Sequence, residues 1–135
     1  MQIVQEFKMP TEEEFRKGFA GNSFLIWEML EDSINSISGC YFRMHFWETM
    51  RGKQGNRELM VEYLKKSRAV SLEFKALKNK SDENVLIDYN VKLWREYHIA
   101  KAIERKEYAG EAEAFDCSAP LNQDQLDNFD FCKDI

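Results

Sequence analysis

The stretch from Arg57 to Trp94 constrains this chain most, because its apolar residues recur at every second position in three consecutive runs. Leu59, Val61 and Tyr63 form the first set, Val70, Leu72 and Phe74 the second, and Ile87, Tyr89, Val91 and Leu93 the third. A period of two is the mark of a strand buried on one face, so this spacing predicts three antiparallel strands. A turn at Lys65 to Arg68 sets Leu59 opposite Phe74, Val61 opposite Leu72 and Tyr63 opposite Val70. The other face then pairs Glu58 with Lys75, and with a loop over Asn79 to Asn84 it sets Lys75 across from Asp88. Opposite charges directly across a pair contribute roughly 0.2 to 1 kcal/mol, and a slip of one residue buries them, so a single register suits both faces.

The segments on either side complete an α+β fold. Thr11 and Glu14 form a capping-box signature that starts a helix running to about Ala20, which Gly21 ends. Asn22 or Ser23 caps a second helix, with Trp27, Leu30, Ile34 and Ile37 at helical spacing and Gly39 as its stop signal. This helix is expected to cover the apolar sheet face. From Cys40 to Met50 the residues alternate again, with Phe42, Met44 and Phe46 on one side and Tyr41, Arg43, His45 and Trp47 on the other. With Arg51 to Asn56 as a hairpin connection, the result is a four-stranded antiparallel meander over residues 40 to 94. A helix follows from Arg95, capped near Gly110. Residues 1–110 are thus expected to form one domain and residues 111–135 an acidic tail, partly disordered or docked, with one amphipathic turn or two between Asn122 and Cys132. The rival reading is an all-α helical bundle: residues 57–109 contain no Gly or Pro, and the whole chain has only two Thr and five Val.

Composition bounds the function classes. No run reaches the ~18 apolar residues of a membrane helix, and the N-terminal MQIVQEFKMP has no basic flank before a long apolar segment. A cytosolic protein without membrane contact is expected. Cys40, Cys117 and Cys132 show no CxxC or Cys/His ligand spacing, so they are read as free thiols, with no metal and no cofactor. The net charge of −5 is uneven: residues 41–108 hold 15 basic and 10 acidic side chains, residues 109–135 one and seven.

On the meander's polar face His45, Glu58, Glu62, Glu73, Lys75 and Asp88 would lie together, enough for two carboxylates to hold a divalent metal beside an ammonium. The run GNRELMVEYLKKSRAVSLEFK, Gly55 through Lys75, resembles the nuclease core of the PD-(D/E)XK superfamily, where an acid on one strand precedes Glu-x-Lys on the next. The resemblance implies metal-dependent nuclease activity, with Glu58 and Glu73 as metal ligands and Lys75 as the catalytic lysine. The competing reading is a charged sheet face laced by cross-strand pairs. His45 reads as a surface ion pair with Glu62, and His98 has no second ligand at i+4. Neither a P-loop nor a dinucleotide fingerprint nor a nucleophile elbow is present.

Two contact functions remain. Arg43, Arg51, Lys53, Arg57, Lys65, Lys66, Arg68, Lys78 and Lys80, with Tyr41 and Trp47 as stacking rings, would suit single-stranded nucleic acid. Exposed aromatics and an acidic tail carrying Leu126, Phe129 and Phe131 suit a non-catalytic module that binds a protein partner. The second reading is preferred, because no catalytic set is assembled. One form of it is an inhibitor seated in the basic groove of a nucleic-acid-handling enzyme. The candidate contact residues are Tyr41, Arg43, His45, Trp47, Lys65, Lys66, Arg68, Leu126, Phe129 and Phe131.

Overall fold

The computed structural model describes residues 11–19, 21–77 and 82–135. Among them there is no strand. The elements are α1 (Glu12–Phe19), α2 (Ser23–Met50), a 3-10 turn (Gly52–Gln54), α3 (Arg57–Leu77), α4 (Glu83–Glu107), α5 (Ala109–Ala114) and α6 (Gln123–Cys132). The expected α+β meander is therefore replaced by the rival all-helical fold.

The reason lies in a second periodicity carried by the same residues. Along α2, Leu30, Ile34, Ile37, Tyr41, Met44 and Glu48 recur at alternating intervals of four and three, and all six are buried. Met60, Tyr63, Ser67, Val70, Phe74 and Leu77 keep the same alternation along α3, and Leu86, Asn90, Leu93, Tyr97, Ala100 and Glu104 along α4, all of them buried except the half-buried Phe74, Tyr97 and Glu104. Such a seam faces one side of a helix and packs against a like seam. The apparent stop at Gly39 fails because the α2 seam runs through it without a break in phase. Losing a side chain there costs the helix roughly 1 kcal/mol, less than burying Ile37, Tyr41 and Met44 contributes. Leu72, placed on the apolar face by the strand reading, is 64% exposed. The expected turn at Lys65 to Arg68 lies in the middle of α3. The Asn79 to Asn84 loop falls partly outside the described residues, as do Lys78, Lys80 and the first ten residues.

α2 is the central element and packs on both α3 and α4. It runs antiparallel to α3, since Trp27 meets Phe74, Ser38 meets Ser67 and His45 meets Met60. It runs parallel to α4, since Ile26 meets Asn90, Arg43 meets Glu104 and Glu48 meets Tyr108. The polar residues in the seams find partners there. Ser38 and Ser67 each donate to the other's carbonyl, at 3.0 and 2.9 Å. Glu104 accepts from Arg43 and Lys101 at 3.0 and 2.8 Å. Burial alone would raise the Glu104 carboxyl, but these bonds hold it below the usual range.

The short elements follow their signals. Thr11 and Glu14 close their capping box, with bonds of 3.3 and 3.2 Å. Gly21 turns the chain with φ of 74°, and Asn22 caps α2 by accepting from Leu25 N–H at 3.0 Å. α1 lies against α4, where Arg16 pairs with Asp88 at 2.6 Å and Arg95 pairs with Glu12. None of the helices described is long and apolar enough to cross a membrane.

Candidate protein-binding surface

Parallel packing brings the C-terminal ends of α2 and α4 side by side. Each such end carries unpaired carbonyls and about half a negative charge, so this end of the molecule needs donors. Arg51 supplies three contacts: Nη1 to Glu48 at 2.9 Å, Nη2 to the Glu107 carbonyl at 2.9 Å, and Nε to Glu111 at 2.6 Å. Its guanidinium also lies 4.7 Å from the centre of the Tyr108 ring. Glu48, only 1% exposed, accepts from Arg51, from the Tyr108 hydroxyl and from Asn56 N–H at 3.0 Å. Burial, helped by the bond to Glu48, pushes the Tyr108 hydroxyl far above its usual range, so it stays a donor. Gly55 makes this close approach feasible. A Cβ there would fall on the Glu48 carbonyl oxygen and lie 2.7 Å from Met60 Cε.

The acidic tail folds onto this end. Asn122 and Gln125 start α6 with a capping box. Gln125 Nε2 then donates to the Met50 carbonyl at 2.8 Å, and Asn128 Nδ2 to those of Thr49 and Gly52 at 3.1 and 2.8 Å. Gly52, with φ of 63°, lets α6 come near, since a Cβ there would stand 3.2 Å from Asp124 Cβ. The helix is thus held by its polar face. Asn128 is 4% exposed, whereas Leu126, Phe129 and Phe131 are 46%, 36% and 40% exposed.

Of these outward residues, Phe129 joins an aromatic surface on α2. Phe46 contacts Trp47, Phe115 and Phe129 at ring separations of 5.0, 5.7 and 6.4 Å, and Trp47 contacts Phe115 at 5.3 Å. Phe42 extends this face by one turn and is itself exposed. Beside it a groove of about 510 Å³ opens between the end of α2 and the segment after α5, lined among others by Trp47, Met50, Phe115 and Leu121.

The contact face expected on a strand is dispersed by the helix. Tyr41 and His45 are buried against α3: Tyr41 stacks on Tyr63 at 6.2 Å and donates to Glu96 at 2.8 Å, and His45 donates from Nδ1 to the Met60 carbonyl at 2.7 Å. Burial lowers the His45 pKa, with Arg68 adding to it and the Met60 bond opposing. Arg43 is taken by Glu104, and Trp47 alone of the four joins the aromatic surface. Lys66 pairs with Glu62 and sits 5.5 Å from the Tyr41 ring centre, Arg68 donates to the main-chain oxygen of Ile135, and Arg57 covers the Phe131 ring at 4.5 Å. Lys65 is exposed and makes no ion pair among the described residues. The basic side chains expected to meet nucleic acid are thus mostly held by the protein itself.

The nuclease-like set is not brought together either. Glu58 and Glu73 lie 15 residues apart on one helix, about 22 Å along its axis, because the strand pairing that would join them is absent. Glu73 instead accepts from the Tyr89 hydroxyl at 2.6 Å and lies 3.8 Å from Lys92 Nζ, and Lys75 is exposed. No group of three or more His, Cys, Asp or Glu side chains among the described residues is placed to hold a metal. Cys40 is buried near Glu104, and burial pushes its thiol up to about 11, so it stays protonated and unreactive.

Sequence reasoning missed Glu48, Arg51, Tyr108, Phe46 and Phe115 as members of one region. The signal that could have found them is the α2 seam continued past Gly39, which sets Glu48 on the buried face and Phe42 and Phe46 on the outer one.

The chain is thus an all-helical protein with a carboxylate-centred polar cluster beneath an aromatic surface. No family model matches it, and neither the curated proteins nor the solved structures contain a match.

Proposed function

We propose that this protein is a non-catalytic binding module that acts by contact with a protein partner through the surface formed by Phe42, Phe46, Phe115, Phe129 and Leu126. One observation carries the reading: α6 is anchored by Gln125 and Asn128 while Leu126 and Phe129 stay exposed and Phe129 meets the half-buried Phe46 ring of α2. A contiguous apolar patch with a polar border is the common form of a protein interface, and aromatic residues dominate its energetics. Inhibition of a nucleic-acid-handling enzyme by occupation of a basic groove belongs to the same reading, since residues 109–135 carry seven acidic side chains and one basic. The cytosol is the setting we propose, and the free thiols of Cys40, Cys117 and Cys132 suit it.

The test is affinity capture by the wild type and by the double variant Phe42→Ser, Phe129→Ser, both positions being partly exposed and so tolerant of change. A partner held by the wild type and lost from the variant supports the reading. One held equally by both refutes it.

A further inference from the structure

Resting on the protein-contact reading, we infer that the groove beside Trp47 and Phe115 receives a basic amphipathic segment of the partner, its apolar side chains in the groove and its Lys or Arg side chains at the rim. Shape sets the first half of this assignment. The groove holds about 510 Å³, within the range of roughly 300 to 1,000 Å³ that takes compact apolar groups. Phe115 and Leu121, which line it, are 41% and 40% exposed, so the apolar wall is uncovered.

Charge sets the second half. Glu111 and Asp116 line the groove, and Glu48 lies beneath Arg51, the one cation in the lining among the described residues. Arg51 is spent on Glu48, Glu111 and the Glu107 carbonyl. Asp116 bonds only to Ser118 and has no cation among the described residues. Met50 and Ala114, the last residues of α2 and α5, also line the groove, so these two helix ends add partial negative charge there. The groove is therefore apolar at its wall and negative around it. An acidic or purely apolar segment would meet repulsion or leave that field unanswered, while a basic amphipathic one satisfies both and is steered in by the field.

Two synthetic peptides test this on the full chain by fluorescence anisotropy: an amphipathic helix of leucine and lysine, and its counterpart with glutamate for lysine. The lysine peptide should bind about tenfold or more tighter than the glutamate peptide, and its affinity should fall as salt rises. Phe115→Ser and Asp116→Lys should each weaken it about fivefold or more, with the helical content unchanged; Leu121→Ser replaces Phe115→Ser if that variant does not fold. Equal binding of both peptides, sensitive to Phe115→Ser but not to Asp116→Lys, would overturn the basic assignment and leave the protein-contact reading standing. Binding indifferent to Phe115→Ser would overturn both. Spermine competing as strongly as the lysine peptide, and unaffected by Phe115→Ser, would make the groove a site for small polycations and overturn the inference.

Discussion

Replacing Glu48 with alanine probes the feature on which the end of the bundle is built. The carboxylate is buried and satisfies three donors: the Tyr108 hydroxyl, Arg51 Nη1 and Asn56 N–H. Its removal takes the charged acceptor from the Tyr108 hydroxyl, on a residue only 2% exposed, leaving it the neighbouring Tyr63 hydroxyl, and returns Asn56 N–H, on an exposed residue, to water. Arg51 loses less, because Glu111 and the Glu107 carbonyl remain. The expected cost is about 1.5 to 3 kcal/mol, the range for losing a buried bond to a charged group, because Arg51 is not left as an unpaired charge. Against a total stability on the order of 5 to 15 kcal/mol this is a large fraction. Urea unfolding followed by far-ultraviolet circular dichroism would read it as a lower midpoint at unchanged slope. Tyr108→Phe removes a donor but strands nothing charged, so it should cost about 1 to 2 kcal/mol. The double variant should cost less than the sum, with a coupling of roughly 0.5 to 3 kcal/mol. A loss below about 1 kcal/mol for Glu48→Ala, or strict additivity with Tyr108→Phe, would refute the reasoning.

Three further outcomes follow from the packing. Leu72→Ala should change stability by no more than about 0.5 kcal/mol, while Leu93→Ala, fully buried on α4, should cost about 2 to 5 kcal/mol; equal costs in urea unfolding would contradict the helical phase. His45 has a lowered pKa in the folded state, so the unfolded chain binds the extra proton first: its contribution is intact above the unfolded value of about 6.5 and is lost as pH falls below it, by at most about 1.4 kcal/mol per pH unit. His45→Gln should flatten that part of the stability profile, and an unchanged slope would count against it. Asn128→Ala should cost about 1 to 3 kcal/mol and speed amide exchange in α6 ahead of α2; unchanged exchange would mean that α6 is held by something else.

Helix boundaries were legible where a specific local bond marks them. Thr11, Asn22 and Asn122 each signal an N-cap through a side-chain oxygen and a donor three residues on, and each makes that bond. Helix against strand in the middle of the chain was not legible from spacing alone. Val70, Leu72 and Phe74 fit a period of two, and Val70, Phe74 and Leu77 fit the helical seam, so a window of five residues cannot choose between them. Polar residues in the seams deepened the ambiguity. Ser67, Asn90, Glu104 and Glu48 read as surface residues, yet each is met across helices, by Ser38, the Ile26 carbonyl, Arg43 and Tyr108 respectively. Only tertiary pairing discloses those partners. The absence of Gly and Pro across residues 57–109 was the better guide, because an antiparallel meander needs turn residues that this stretch lacks. For the candidate surface, Trp47, Leu126, Phe129 and Phe131 were singled out by composition. Phe46 meets Trp47 on α2 itself, Phe115 reaches both from the segment after α5, and Phe129 adds to them where α6 crosses α2.

That crossing traces back to one topological choice. Because α2 and α4 run parallel, their C-terminal carbonyls crowd one end of the bundle, and those left unpaired in a partly buried site are costly. Arg51 meets the Glu107 carbonyl, the Met50 carbonyl takes its donor from Gln125, and those of Thr49 and Gly52, reached already by the backbone N–H groups of Arg51 and Gly55, take a further one from Asn128. The tail thus supplies donors through Gln125 and Asn128, and amide donors are what that position demands, since a carboxylate there would add repulsion. An amphipathic helix docked by its apolar face would have offered no donors to these carbonyls. α6 therefore turns its polar face inward, and the rotation that satisfies α2 is the same one that leaves Leu126 exposed and sends Phe129 to the outside beside Phe46. The aromatic surface and the negative groove are in this sense consequences of capping one helix end with an acidic tail. Any partner that covers them must bind both α2 and α6, and so must stabilise the docked tail as it binds.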